Sequence, residues 1–470
     1  MLFGFGSLAE GTKNVAFGAY LLIFYNQVMG VPAGLVSLAL LISVIVDAFS
    51  NPVLGQISDN MHGKWGRRHP FIYISALPTA LFFYLMFNPP VGWSDTAMFW
   101  YVLLVSLCAR VAINLFELPS AALTPELTDD YDERTRLMGW RYFFGYLGGL
   151  GTAFLALKVF LKPTEQYPVG QLNPEGYAIW GVFGAVLIFG SILISGLGTH
   201  HRIKYMRPTD VRPSRPFAAH ITEIFQAMSH KSFVAIFGFG ILVYSAVGLG
   251  GALAVYFGTY VWQLSASNMA ILTIDGVFAA TIALIIAPRL SKHFGKRQSA
   301  MELAAAGVIL GLLPFVLRQI GWFLPVEPEM TLVWTLFANQ VLYSTMAASA
   351  AILLSSMIAD VVEDNAVKTG RHSSGVYFSA SAFMRTCAAG LGVFFAGLLL
   401  EFSGFPENAK PGSVAPQVID TLINIYVPII AVCWFVGIFC LSWYKIDRDT
   451  HNANLSRLAG QEPDSVAEFV

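Results

Sequence analysis

Residues 44–73 read VIVDAFSNPVLGQISDNMHGKWGRRHPFIY, from the middle of one apolar segment into the next. Asp47 sits where a membrane helix should carry no charge. The linker behind it sets Lys64, Arg67 and Arg68 beside Gly63 and Gly66. On a helix the positions i, i+3 and i+4 share a face, so Asp47, Ser50 and Asn51 present one carboxylate and two neutral polar groups together. Such a set suits a proton or a small hard cation. The bland alternative is an Asp47 merely neutralised by a nearby arginine.

The rest of the chain sets that acid in a bilayer. Of 470 residues, 56% are hydrophobic and only 12% charged, with 14% aromatic. Soluble domains carry about a quarter charged residues, and the mean hydropathy here is +0.61. Twelve apolar segments are long enough to cross a bilayer as helices: 3–28, 33–57, 70–89, 97–126, 136–161, 176–198, 232–262, 268–288, 299–319, 330–358, 375–401 and 419–444. The first holds Glu10 and Lys13, unlike a secretion signal. The net charge of -1 argues against a nucleic-acid partner. Cys108, Cys387, Cys433 and Cys440 lie in apolar segments at no metal-like spacing, and read as buried thiols. No metal and no organic cofactor is expected. His200 and His201 lack metal spacing. GLGGAL at 248–253 has no strand before it, so it reads as helix-packing glycine and not a nucleotide loop. A membrane enzyme therefore finds no support.

Loops after even-numbered segments, with the tail, hold 19 of the 28 lysines and arginines, which predicts both termini in the cytoplasm. The longest such loop, THHRIKYMRPTDVRPSRPFAAH, divides the chain into a six-helix bundle over 1–198, a basic linker over 199–231, a second bundle over 232–444 and a polar, loosely ordered tail over 445–470. The halves echo each other: GKWGRRHPF follows segment two and KHFGKRQS follows segment eight, each with a glycine before two cations. Internal repeats of this kind mark secondary transporters, with substrate between the halves at mid-membrane. On segment four, Arg110, Asn114 and Glu117 share a face, and an arginine at that depth needs an acid or water. Arg110 is expected to point at the cavity, towards Asp47; local helix packing is the other reading.

GQISDNMHGKWGRR resembles the conserved loop of the major facilitator superfamily, in which Asp59 with Arg67 and Arg68 would lock helices at the cytoplasmic face. Three stretches in order, DAFSNPVLGQISD…GRRHPFI, ELPSAALTPELTDDYDERTRLMGWR (117–141) and MIADVVEDNAVKTGRHSSGVYFSASAFMR (357–385), resemble the glycoside–pentoside–hexuronide:cation symporter family. GRRHPFI is also similar to the GRRRPFI loop of plant sucrose–proton symporters. The resemblance implies an all-α membrane protein with the major facilitator fold, in the inner membrane, monomeric, moving a sugar or glycoside by alternating access with H⁺ or Na⁺.

Residue by residue, it implies that Asp47 matches the first of two cation-binding acids, with Asn51 in place of the second. Ser50 and Asn114 stand at positions that contribute polar oxygen. Losing one carboxylate favours a proton over sodium. Glu117 and Arg141 match the acid and arginine that bind sugar hydroxyls, although a purely structural Glu117–Arg141 pair is the alternative. Glu10-Gly11 replaces a lysine–aspartate pair, and Arg385 replaces a lysine near the cation site. Two tryptophan platforms are missing, at Ala121 and near Ala351. That loss leaves room for an amphipathic substrate such as a lysolipid as the alternative cargo, with a non-transporting sensor less favoured. Arg134 with Asp360 or Glu363 is expected to latch the halves at the cytoplasmic face.

Overall fold

The protein is described by a computed structural model that covers residues 1–61, 63, 65–128, 130–205, 226–369, 374–410 and 412–459. The side chains of Asp59, Pro125, Tyr131, Asp132, Tyr205 and Ala459 also lie outside the described residues, and with them the Asp59 half of the expected lock.

Eleven helices in the described residues are long and apolar enough to cross a membrane. They are α2 (Ala33–Asn60), α3 (His69–Phe87), α4 (Asp95–Leu127), α5 (Tyr131–Leu155), α6 (Pro174–His200), α7 (Lys231–Tyr256), α8 (Ala266–Leu272, then Asp275–Phe294), α9 (Lys296–Gln319), α10 (Glu329–Thr369), α11 (Ser374–Phe402) and α12 (Pro416–Leu441). Residues 2–28 form α1, the twelfth, broken at Gly6 and widened into π turns at Ala16–Tyr20 and Phe24–Val28. Prolines 52, 78, 288, 314 and 428 all lie inside helices. Neighbouring helices tolerate such breaks in an apolar medium. Large apolar side chains face outward, among them Leu77, Val186 and Leu284, each about two-thirds exposed, as lipid contact requires.

Several helices outrun their apolar stretch. α5 starts at Tyr131, five residues before the expected 136, because Asp130 caps it: its Oδ1 accepts from Glu133 N at 2.7 Å. α10 continues past 358 to Thr369 through a charged stretch in which Lys368 pairs with Asp364 one turn back at 2.6 Å, support that hydropathy alone cannot register. Pro288 does not end α8, which runs on to Phe294. The tail departs most from expectation. Arg448–Ala459 is a further helix, α13, capped by Asp447, whose Oδ1 accepts from Thr450 Oγ1 at 2.6 Å and Thr450 N at 2.9 Å.

The echo between the two halves is structural as well as sequential. Gly66 and Gly295, before the paired cations, both take positive φ, +74° and +79°, a conformation costly for any residue with a Cβ. Glycines also weld matching helix pairs within each half. A Cβ on Gly11 of α1 would lie 2.0 Å from Gly145 O on α5. A Cβ on Gly392 of α11 would lie 2.2 Å from Ser245 O on α7, and Gly248 faces Ala389 in the same seam. Small residues thus let backbones meet where no hydrophobic force drives helices together, and GLGGAL is packing glycine. Across the halves α2 runs beside α11, with Gly397 against Ser37 and Gly390 against Val44, while Leu150 of α5 meets Gly276 of α8.

The hydrogen bonds that cross between the halves gather at the end carrying the odd-numbered loops. Buried Gln27, at the end of α1, donates to Pro406 O at 3.0 Å and accepts from Tyr260 Oη and Ala409 N at 2.9 Å each. Tyr256 Oη donates to Asn26 Oδ1 at 2.9 Å, and Gln171 to Leu264 O at 2.7 Å. This end is sealed.

Gly392→Val should overpack the α7–α11 seam at a cost of about 1–3 kcal/mol. A thermal melt of purified protein should show the loss, whereas the same change at Gly190, with open space around its Cβ, should not.

Candidate functional site

Asp47 lies halfway along α2, buried at 5% exposure. A carboxylate there needs compensation, and α4 supplies it. Asn114 Nδ2 donates to Asp47 Oδ1 and, at 2.5 Å, to Asn51 Oδ1. Arg110, one turn away, places Nη1 3.9 Å from Asp47 Oδ2 and donates from Nε to Ser43 at 3.2 Å. Its guanidinium lies 4.2 Å over the Phe17 ring of α1. Three helices are thus tied by one buried acid, and Arg110 does point at it. Ser50 is on the same face, but its hydroxyl donates back to Asp47 O at 2.9 Å, along its own helix.

Glu117, two turns further on α4, pairs with Lys13 Nζ at 3.0 Å across to α1. Lys13 therefore reaches past Glu10, its neighbour on the same helix, to the deeper acid. Arg141 on α5 is not the partner of Glu117: it donates to Ser120 at 2.8 Å and stacks 5.5 Å over Phe3. Glu10 and Arg141 both line a central cavity of about 710 Å³, with Asn14 and Tyr142 from the same half and Val247, Gly248 and Ala389 from the other. This volume lies in the range of small-molecule sites. Arg385, on α11, is exposed and pairs with no acid among the described residues. The structure therefore gathers Asp47, Asn51, Asn114 and Arg110 in one cluster and Glu10 and Arg141 around one cavity, with Lys13–Glu117 on α1 and α4.

At the end that carries the termini, the ion pairs among the described residues lie within each half. Arg67 Nη2 meets Glu126 Oε1, at the end of α4, at 2.5 Å. Arg68 meets Glu126 at 3.4 Å and donates to Ser58 at 2.8 Å. In the second half Lys296 holds Asp360, near the end of α10, at 2.6 and 2.8 Å. The expected latch is not closed. Arg134 Nε donates to Thr128 O at 2.9 Å, and Asp360 is held by Lys296, Tyr444 Oη at 3.1 Å and His451 at 3.4 Å. His451, from α13, also meets Glu363 at 2.9 Å, and Asn454 donates to Asp364 at 3.1 Å.

Sequence reasoning missed Glu126 as the loop's partner, although Lys296–Asp360 repeats that pair in the echo. It missed Gln27, for which the sequence carries no signal. It also missed Asp275, an acid inside the eighth apolar segment, the same signal that singles out Asp47.

Two six-helix halves around a central cavity, sealed at one end, define a major facilitator transporter. The family model described as MFS/sugar transport protein matches residues 2–448, and the chain belongs to that family. It is similar to an uncharacterized symporter of Synechocystis sp., 27% identical over 92% of this chain and 91% of that one. It is also similar to the isoprimeverose transporter of Lactiplantibacillus pentosus, 24% identical over 94% and 88%. Among solved structures, a mutant of the nucleoside transporter NupG superposes with a TM-score of 0.62 at 14% identity, covering 94% of this chain and 99% of that one.

Lys13→Ala and Glu117→Ala should each strand a charge in the bundle and lower stability by on the order of 3 kcal/mol. The double variant should recover most of that loss. Additive losses in melts of the three proteins would show that the pair is not coupled.

Proposed function

We propose that this chain is a cation-coupled symporter of a sugar or glycoside, driven by protons in preference to sodium, working as a monomer in the inner membrane with both termini in the cytoplasm. The observation that carries the reading is the buried carboxylate of Asp47, clasped by Arg110 and Asn114 beside the Lys13–Glu117 pair.

A sodium ion wants several oxygens around it. Here the Asn114 amide nitrogen, a donor, faces Asp47 and Asn51, and the Ser50 hydroxyl is spent on its own helix. That arrangement suits a proton better. Asp47, Glu117 and Glu10 are matched by Arg110, Lys13 and Arg141, so the region is neutral as a whole. A proton on Asp47 leaves Arg110 without its counter-charge, and the pairs must rearrange. Cation binding and reorganisation of helices α1, α2 and α4 are then one event.

Glu10 and Arg141 on the cavity wall offer an acceptor and a fork of donors to vicinal hydroxyls. The relatives add support: one is named an isoprimeverose transporter, another a raffinose carrier protein. A cavity carrying a carboxylate and a guanidinium fits a polyol. With the odd-loop end sealed by Gln27 and the charge pairs at the other end closed within each half, the halves can rock about the cavity, opening to the cytoplasm in this state.

Asp47→Asn should cut pH-gradient-driven sugar accumulation in proteoliposomes roughly tenfold or more, and leave sugar–sugar exchange close to wild type. Retained accumulation would move the coupling role to Glu117.

A further inference from the structure

Beyond the central cavity lies a second one of about 520 Å³, walled mostly by the C-terminal half and closed on one side by α1 and α5. The two share Val15, Ala19, Leu150 and Gly251 as walls, so the second lies beside the first. Its character differs. Asp275, at the break in α8, lines it with Asn339 and Gln340 of α10. Asp275 is 8% exposed and accepts from Ser344 Oγ at 2.5 Å. The Gly276 N–H and the Gln340 side chain also reach it, and a carboxylate, with about four acceptor positions, keeps room for a further donor. Unlike Asp47, it has no cation: no lysine or arginine among the described residues lines this cavity or pairs with it. Asn339 is anchored by its amide, which donates to Leu310 O at 3.1 Å, and its own oxygen has no described partner. The opposite walls are aromatic. Trp262, Phe315 and Tyr426 stand as a row of tilted rings, 5.4 Å between neighbouring centroids.

A buried acid without a cation, two amides and a set of ring faces match one ligand chemistry. Hydroxyls would donate to Asp275 and the Asn339 oxygen, while the C–H face of a pyranose packs on the rings. A negative ring would be repelled by the uncompensated carboxylate. We infer that this cavity is a second sugar subsite that seats an uncharged outer ring of a glycoside whose first ring is held at Glu10 and Arg141. The inference rests on the sugar-symport reading and sharpens it: the substrate is a glycoside of at least two units, neutral at the unit that enters the C-terminal half. The ring faces missing at Ala121 and Ala351 are then supplied here, by Trp262 and its neighbours.

The test is uptake by the full chain in proteoliposomes under a pH gradient, with glucose, galactose and xylose against maltose, lactose and melibiose. Wild type is expected to take up at least one two-ring sugar with a lower KM than any one-ring sugar. Asp275→Asn and Gln340→Leu should each raise that KM roughly tenfold or more and leave one-ring KM values within about twofold. Parallel changes for both sugar classes, or no change, would overturn the subsite. So would loss of accumulation for every sugar with exchange intact, which would make Asp275 a coupling group. Gln340→Leu stands on an exposed cavity position and reports even where the Asp275 variant does not fold. Wild type that moves no sugar under any gradient would defeat the symport reading itself, and is seen before any variant is made.

Discussion

A carboxylate buried among apolar helices is the constraint on which the N-terminal half is built. Asp47 without partners would be expelled or neutralised. Arg110 and Asn114 are where they are because α4 must present them to α2, and Phe17 is under the guanidinium because α1 must close the third side. The Lys13–Glu117 pair extends the same balance between α1 and α4. Charges that weaken a simple membrane span thus specify which helices touch, and they leave the region poised to respond when one proton is added.

The two ends of the molecule are held by different means. At the odd-loop end the bonds are neutral, run between the halves and converge on Gln27, whose amide is fully used. At the other end the ion pairs among the described residues stay within each half, Arg67–Glu126 in one and Lys296–Asp360 in the other. Each half is stiffened by glycine seams, α1 on α5 and α7 on α11. Stiff halves whose cross-bonding hydrogen bonds lie at one end are suited to rocking as bodies. The α13 helix adds a second layer to the C-terminal half by placing His451 and Asn454 on the acids of α10.

Much of the fold was legible because hydropathy reports burial in lipid directly: twelve apolar runs became twelve helices. Their ends were less so. Asp130 moves the start of α5, and the charged run after 358 extends α10, because capping and pairing along a helix act where hydropathy is silent. In the site, Asp47 with Arg110 and Asn114 could be read from helical spacing on two segments. The partner of Glu117 could not, since Lys13 and Arg141 lie on different helices and only packing decides which one reaches it. Gln27 looks like any polar residue at a helix end. Asp275 carried a readable signal, an acid in an apolar span, but no motif drew attention to it.

The central claim is that one buried carboxylate couples sugar entry to protons. It is tested most directly by adding a transported sugar to proteoliposomes in sodium-free, weakly buffered medium and following external pH. The account predicts immediate alkalinisation in step with sugar uptake, absent in Asp47→Asn. Sugar uptake that requires sodium and moves no protons would contradict it.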